Sequence, residues 1–315
     1  MRRDRWFRII YLSVSALAFY YIGTKIAGFE HWDDINADLL STNRLILIAV
    51  QLMLWFANVG IEAGRWKYLL SSFSGHSFFR SLKMVFAAFS AGSFTPMKLG
   101  EHGGRLIFLK KEDRTTGALA SVFGSYLNTI VILLFATAAL PFALGKGYLE
   151  IEWFKGVNDI YYYLFVAAVV TGSLLMLLGI TKILKRKLRN TKWALKKDFF
   201  LNMGAKRVLF LLLLTMARVV VYNLQLFVWF SFFNINCPAG IFIILSPLYF
   251  AAITLVPGML LVDLGIRGSA GLFIFSQQCG DPAVILFALF ALWGVNVAVP
   301  VAIGNVILIF KNHHT

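Results

Sequence analysis

Residues 95–105 read TPMKLGEHGGR and residues 256–268 read VPGMLLVDLGIRG, and each stretch interrupts an otherwise apolar part of the chain. In both, the second residue is a proline, which is followed five or six residues later by an acid, then by glycine, and by an arginine four residues after the acid. A straight helix in lipid cannot absorb such a stretch, because freed backbone groups there need partners. The pattern therefore predicts two broken re-entrant hairpins, over residues 78–109 and 241–275.

The sequence around the two breaks is typical of a membrane protein. Of the 315 residues, 59% are apolar and only 14% are charged, which excludes a soluble enzyme as the default interpretation. Six apolar runs approach or exceed the roughly 20 residues that cross a bilayer, namely residues 9–28, 45–70, 118–144, 160–184, 208–233 and 283–310. We expect an all-α polytopic protein with six full spans and two broken hairpins. Hydropathy alone also allows eight to ten spans, if both halves of each hairpin cross.

The distribution of basic residues predicts the orientation. With a cytoplasmic N-terminus, twenty-four of the thirty Lys and Arg residues fall on the inner side and four on the outer side, as the positive-inside rule requires. Both termini are then cytoplasmic, and the two hairpins enter from opposite faces. This arrangement predicts one transmembrane domain, residues 1–315, with inverted-repeat-like halves 1–157 and 158–315 and no soluble domain. Basic residues placed in short gaps between spans do not favour a nucleic-acid partner.

The breaks also predict a binding site for an anion. Prolines and glycines let the backbone turn, and a half-helix that restarts after them directs unpaired N–H groups at the break. We expect the backbone hinges to be Pro96, Gly100, Gly103, Gly104, Pro257 and Gly265. We expect the substrate-binding residues to be Glu101, Arg105, Arg218, Asp263 and Arg267. The alternative is that Glu101 with Arg105, and Asp263 with Arg267, are neutral pairs that make a turn tolerable in lipid.

Other ionisable residues and the cysteines allow weaker statements. Arg218, deep in an apolar run, needs a partner, for which Asp263, Glu101 or a bound anion could serve. Glu62 and Arg65 are interpreted as interfacial residues near a span end. The two cysteines, Cys237 and Cys279, fall in predicted outer loops, and their pairing stays open. No metal or cofactor is expected, and no nucleophile with a base at usable spacing indicates a catalytic residue.

Short motifs in chain order resemble the transmembrane region of lysylphosphatidylglycerol synthase, a family of flippase-like integral membrane proteins. The motifs are Gly64-Arg65-Trp66 with Leu69-Leu70, Pro96 with Gly100-Glu101 and Arg105, Ala118-Leu119-Ala120-Ser121-Val122, and Leu264-Gly265-Ile266-Arg267. The resemblance implies translocation of a lipid or lipid-linked anionic headgroup between leaflets of a bacterial inner membrane, with broken helices lining a cavity. The sequence does not contain the aminoacyl-transferring domain of some relatives, so we do not expect the chain to be an enzyme. A separate lipid-modifying enzyme is a possible partner.

Three other functions stay open at this stage. The first is proton-coupled transport of a small organic anion through Glu101, Asp263 or His102. The second is an embedded enzyme that acts on a lipid-linked substrate, and the third is a scaffold that transports nothing. The oligomeric state is not predicted.

Overall fold

The computed structural model describes residues 41–95, 98–149, 204–256 and 260–311, and every regular element in these ranges is a helix. The predicted spans over residues 9–28 and 160–184, and both chain termini, lie outside the described residues.

Nine α-helices form the described bundle: α1 Thr42–Leu70, α2 Phe78–Ser93, α3 Gly100–Leu106, α4 Arg114–Gly145, α5 Ala205–Phe232, α6 Ala239–Leu255, α7 Leu260–Phe275, α8 Pro282–Trp293 and α9 Val299–Lys311. A 3₁₀ turn, Lys111–Asp113, precedes α4, and a π-turn, Gly294–Ala298, joins α8 to α9. Side-chain caps fix the N-termini of two of these helices. Ser77 accepts a hydrogen bond from the Arg80 amide at α2, and Asp281 accepts one from the Ala283 amide at α8.

The four predicted full spans that fall in the described ranges are confirmed. Four helical segments are long and apolar enough to cross a membrane: Thr42–Leu70, Lys111–Gly145, Ala205–Phe232 and Pro282–Phe310. Large apolar side chains stand on their outer faces, such as Met53 (71% exposed) and Phe56 (67%). Because water would disfavour so much exposed apolar surface, these faces suit contact with lipid. The chain is a multi-pass helical membrane protein.

Helices α1 and α5 run antiparallel and define the two ends of the bundle. Arg207, in the first turn of α5, donates to the carbonyl of Tyr68 near the end of α1 at 2.7 Å, and farther along α5 the Nε of Arg218 donates to Asn58 at 2.9 Å. We call the end that carries Arg207 the basic end, because cations in the terminal turns of helices and in the loops gather there: Lys67, Arg80, Lys110, Lys111, Arg114 and Lys206. We call the other end the disulfide end, because Cys237 and Cys279 form a disulfide there.

The first predicted hairpin, which we call hairpin 1, consists of α2 and α3 with their connection. Its two helices, which are the legs of the hairpin, pack tightly. A Cβ added at Gly104 would lie 2.5 Å from the Ala87 carbonyl oxygen and 2.8 Å from the Ala88 Cα. Gly100 lies equally close to Ala91, so the two helices run antiparallel. At its base Arg80 donates to the Phe108 carbonyl at 2.9 Å. The first leg therefore starts, and the second leg ends, at the basic end.

The second predicted hairpin, hairpin 2, consists of α6 and α7. Its two legs contact at the base through the stacked rings of Phe242 and Phe275, whose centroids are 6.2 Å apart. Just outside the base, Cys237 and Cys279 form a disulfide, so the pairing that the sequence left open is made. Phe227, near the end of α5, packs on Phe242, and hairpin 2 therefore has its base at the disulfide end.

The tips of the two hairpins meet inside the bundle. Lys98, at the tip of hairpin 1, lies 3.6 Å from Asp263 in the first turn of α7. The two broken elements thus have the opposite orientations that the sequence predicts, whereas their position relative to a bilayer stays a prediction. The prolines at the breaks, Pro96 and Pro257, lie outside the described residues.

Two apolar cores flank the level at which the tips meet. The core near the basic end joins the last turns of α1, hairpin 1 and the first half of α4, and includes Trp66, Met84 and Leu127. The core near the disulfide end joins hairpin 2, α8 and the second half of α4, and includes Tyr249 and Phe275. Most of the buried ionisable side chains lie between these two cores.

The glycines of hairpin 1 allow a matched test of its packing. We expect Gly104→Ala to lower the melting temperature in detergent, since the added methyl meets backbone atoms that cannot rotate away and overpacking typically costs about 1–3 kcal/mol. The neighbour Gly103 has no such contact within 4 Å, so Gly103→Ala serves as the control. It should leave stability unchanged or raise it by up to about 1 kcal/mol through lower chain entropy. Equal melting temperatures for the two variants would contradict this packing.

The disulfide predicts a thiol-labelling pattern. We expect denatured but unreduced protein to resist a maleimide-polyethylene glycol reagent and reduced protein to take up two labels, because disulfides persist on the oxidising side of a membrane. Cys237→Ser is the control, and it should expose one reactive thiol without reductant. Two reactive thiols in the denatured, unreduced protein would show that the bond does not form in cells.

Candidate functional site

The carboxylate of Glu62 lies at the centre of a buried ion network. Its oxygens contact three arginines: Arg65 Nη2 at 2.9 Å, Arg105 Nη2 at 2.7 Å and Arg218 Nη1 at 2.9 Å. The arginines come from α1, α3 and α5, so this one carboxylate ties hairpin 1 to two long spans. Glu62 is 1% exposed and Arg218, the most accessible of the three arginines, is 8% exposed. Arg105 also contacts Glu101 at 2.6 Å.

Neutral polar groups satisfy further donors of the network. Arg65 Nη1 donates to Thr215 Oγ1 at 3.0 Å, and Arg218 Nε donates to Asn58 Oδ1 at 2.9 Å. The Asn58 amide in turn donates to Asn296 Oδ1 at 2.8 Å, within the π-turn between α8 and α9. A π-turn inside a helix is frequent at functional sites. Here the turn carries a polar side chain that contacts the network.

A second, smaller ion cluster joins the hairpin tips. Arg267 Nε donates to Asp263 Oδ2 at 2.8 Å, one helical turn away on α7. The other oxygen of Asp263 faces the ammonium of Lys98 on hairpin 1. Lys98 has a φ of 57°, the left-handed backbone region that a lysine rarely adopts. Such an outlier at the meeting point of two segments is typical of a functional position.

A cavity of about 330 Å³ lies between the two ion clusters. Four cationic side chains line it: Arg65, Lys98, Arg218 and Arg267. Among the described lining residues the single carboxylate is that of Glu101. The remaining walls combine polar side chains such as Ser93, Asn128 and Asn296 with apolar ones such as Phe89, Ile132 and Phe250.

The cavity separates the five predicted binding residues into two groups. Glu101, Arg218 and Arg267 line it. Arg105 and Asp263 do not line it, and each holds a lining residue in place: Arg105 contacts Glu101, and Asp263 contacts Arg267. The structure therefore joins all five in one region, three at the cavity surface and two one contact away from it. Arg105 further packs over the Trp66 ring, with 5.0 Å between the guanidinium carbon and the ring centre.

The local geometry of the breaks differs from the prediction. The expectation that a half-helix restarts after the glycines is wrong: Gly100 begins α3, and Gly103, Gly104 and Gly265 lie within helices. Hairpin 1 changes from α2 to α3 between Ser93 and Gly100, and in hairpin 2 α6 ends at Leu255 while α7 begins at Leu260. The physical reason is close packing, since Gly100 and Gly104 let α3 touch the backbone of α2.

The interfacial interpretation of Glu62 and Arg65 is also wrong, because hairpin 1, α4 and α5 cover the end of α1. Among the described residues the carboxylate partner of Arg218 is Glu62, rather than Asp263 or Glu101 as the sequence suggested. One signal was available in the sequence. Glu62 and Arg65 are three residues apart, so an acid and a base share one face of an otherwise apolar helix, which indicates burial with partners.

Sequence reasoning also missed Lys98, which the positive-inside count assigns to the cytoplasmic side. In the structure it contacts Asp263 at the junction of the hairpin tips. The count cannot separate a loop cation from one that folding carries inward. Asn58 and Asn296 were not singled out either, since a lone amide in an apolar run has no distinctive spacing.

The arrangement is suited to an anion. Arginine forks and an ammonium offer charge-assisted hydrogen bonds to phosphate or carboxylate oxygens. In the described part of the chain, no group of three or more His, Cys, Asp or Glu side chains could hold a metal ion.

Fold and cavity together define a polytopic helical membrane protein with a cationic cavity between two opposed helical hairpins. Residues 8–306 match the family model described as "Lysylphosphatidylglycerol synthase TM region". Because this match covers nearly the whole sequence, the chain belongs to that family. A search of curated proteins found no match.

The role of Glu62 can be tested by an isosteric change. We expect Glu62→Gln to destabilise the protein by about 3–5 kcal/mol, since removing one member of a buried ion network leaves its partners uncompensated. Thermal unfolding followed by tryptophan fluorescence measures the effect. Glu112→Gln is the matched control, because Glu112 is exposed in the 3₁₀ turn at the basic end, and it should shift stability by less than about 0.5 kcal/mol. Similar melting temperatures for the two variants would rule out a central role for Glu62.

Proposed function

We propose that this protein binds the anionic, phosphate-bearing headgroup of a lipid or lipid-linked molecule in the cavity and moves it across the membrane. The observation that supports the proposal is the cavity lining, in which Arg65, Lys98, Arg218 and Arg267 face a single carboxylate, Glu101. Ionisable groups inside a membrane protein are costly and usually serve function. Four cations around one space favour a negatively charged ligand.

The apolar part of the lining supports a lipid as the ligand. Phe89, Ile132, Phe250 and Ile253 share the wall with the cations. A headgroup can therefore contact arginine on one side while the glycerol and first methylene groups contact aromatic and aliphatic side chains on the other. Membership of the lysylphosphatidylglycerol synthase transmembrane-region family also supports a function that involves membrane lipids.

The opposed hairpins supply a route for movement. They enter from opposite ends of the bundle and touch at their tips through Lys98 and Asp263. In transporters built from inverted repeats, rocking of one such element against the other exposes a central site to each side in turn. We propose the same alternation here, with the headgroup held between the tips and no chemical step, so that the protein is not an enzyme.

The proposal includes an orientation. The basic end faces the cytoplasm, as the positive-inside rule requires, and the disulfide end faces the oxidising side of a cell inner membrane. A separate enzyme that makes or modifies the lipid would complete the system.

The experiment measures lipid movement in reconstituted vesicles. A fluorescent phospholipid is placed in both leaflets, and its exposure to a membrane-impermeant quencher is followed over time with wild-type protein and with Arg267→Gln. One charge-assisted contact is worth about 1.5–3 kcal/mol, so we expect the variant to move the lipid at least about tenfold more slowly than the wild type. Arg267 lines the cavity and is partly buried, so the change removes a wall charge without opening the Glu62 network.

Lys146→Gln is the matched control, because Lys146 follows α4 at the disulfide end, exposed and outside the cavity. It should move lipid at the wild-type rate. An unchanged rate for Arg267→Gln, at equal protein level and equal melting temperature, would contradict the proposal. Uptake of a small organic anion into the vesicles without lipid movement would replace it with the anion-transport alternative.

A further inference from the structure

The described interior holds an excess of positive charge. The ionisable side chains of the two clusters and the cavity comprise five cations and three carboxylates, a formal +2 with His102 taken as neutral. The cations are Arg65, Lys98, Arg105, Arg218 and Arg267, and the carboxylates are Glu62, Glu101 and Asp263. Every one of these groups lies within one connected region between the two apolar cores.

The excess is concentrated at the cavity surface. Glu62 and Asp263 are each 1% exposed and already contact three arginines and two cations, respectively. Neither carboxylate lines the cavity. A ligand therefore meets the outer sides of four cations and one carboxylate. The carboxylates behind the wall position the cations and cancel part of their charge.

The size of the excess selects among phosphate headgroups. An uncompensated charge in a low-dielectric interior is expensive, so the best ligand brings the opposite charge in equal number. A phosphodiester headgroup brings about one negative charge and two free oxygens, whereas a phosphomonoester brings about two charges and three strong acceptor oxygens. An amine on the headgroup would add a cation to a site that already has too many.

We infer that the cavity selects lipids that end in a phosphomonoester over those that carry a phosphodiester or an amine. This inference rests on the proposed function and names the substrate class of the same site. Three terminal oxygens match the geometry, since Arg218 and Arg65 approach from the network side while Lys98 and Arg267 approach from the hairpin tips. A volume of about 330 Å³ accommodates a phosphate with its ester linkage.

The test compares binding of three lipids with identical acyl chains. Purified protein in nanodiscs is titrated at pH 8 with phosphatidic acid, phosphatidylglycerol and phosphatidylethanolamine, and binding is followed by tryptophan fluorescence and native mass spectrometry. We expect phosphatidic acid to bind at least about tenfold more tightly than either phosphodiester, as one further charge in a partly buried site implies. Equal affinity for phosphatidic acid and phosphatidylglycerol would overturn the inference.

Two variants with opposite effects make the test independent of folding. Lys98→Met lowers the excess charge by one and should reduce the preference for phosphatidic acid about tenfold, to near parity. Glu101→Gln raises the excess and should increase that preference. Both side chains are partly exposed at the cavity, 36% and 27%, so each substitution is tolerable to the fold. Lys83→Met, on the exposed face of α2 and outside the cavity, is the matched control and should leave the preference unchanged. A change of the same sign in Lys98→Met and Glu101→Gln would overturn the charge argument.

Inorganic phosphate and glycerol 3-phosphate distinguish a lipid from a soluble source of the same chemistry. If either competes with phosphatidic acid at comparable concentration, the phosphomonoester preference stands and its source is soluble, which counts against lipid movement. If phosphatidylglycerol and phosphatidic acid bind and move equally, the inference fails while the proposed function stands. If neither lipid binds nor moves, both fail.

Discussion

The carboxylate of Glu62 is the constraint on which the rest of the described structure depends. It contacts arginines from α1, α3 and α5 within 3 Å, and it lies out of reach of solvent. A guanidinium in an apolar interior needs an opposite charge, and three of them share this one. Arg105 ties hairpin 1 to α1 through its contact with Glu62. The same sharing leaves the arginines partly uncompensated, which makes the cavity attractive to an anion.

Close backbone packing is the second constraint, and it acts on the same element. Gly100 and Gly104 bring α3 against α2 without intervening side chains, so Glu101 and Arg105 reach inward from a helix of only seven residues. Hairpin 2 is closed differently, by stacked aromatic rings and a disulfide at its base. The two hairpins thus enter from opposite ends of the bundle and are joined at their tips by an ion pair, while the legs of each are held together by different interactions.

Much of the architecture could be predicted from the sequence, and the site less completely. Long apolar runs and the proline, acid and arginine spacing depend on local composition, so four spans and both hairpins were placed correctly. The roles of individual charges were harder. Arg105 and Asp263 do not line the cavity themselves and instead contact the lining residues Glu101 and Arg267. Glu62, Arg65 and Lys98 were assigned to the membrane surface, because hydropathy and charge counting use position along the chain and contain no information on what folds over it.

The sequence by itself determined the class of protein, the family, the broken elements and the excess of basic residues, since each of these follows from composition and short-range spacing. Only the tertiary structure decided which carboxylate neutralises which arginine, which cations face the cavity and that the two cysteines are paired. These contacts, and the hydrogen bonds that extend the ion network, join residues as far apart in the chain as Asn58 and Asn296. They depend on the packing of helices that no local pattern specifies. Electrostatic energy in a low-dielectric interior depends on distances of a few ångströms, so the chemistry of the site became visible only when those distances were known.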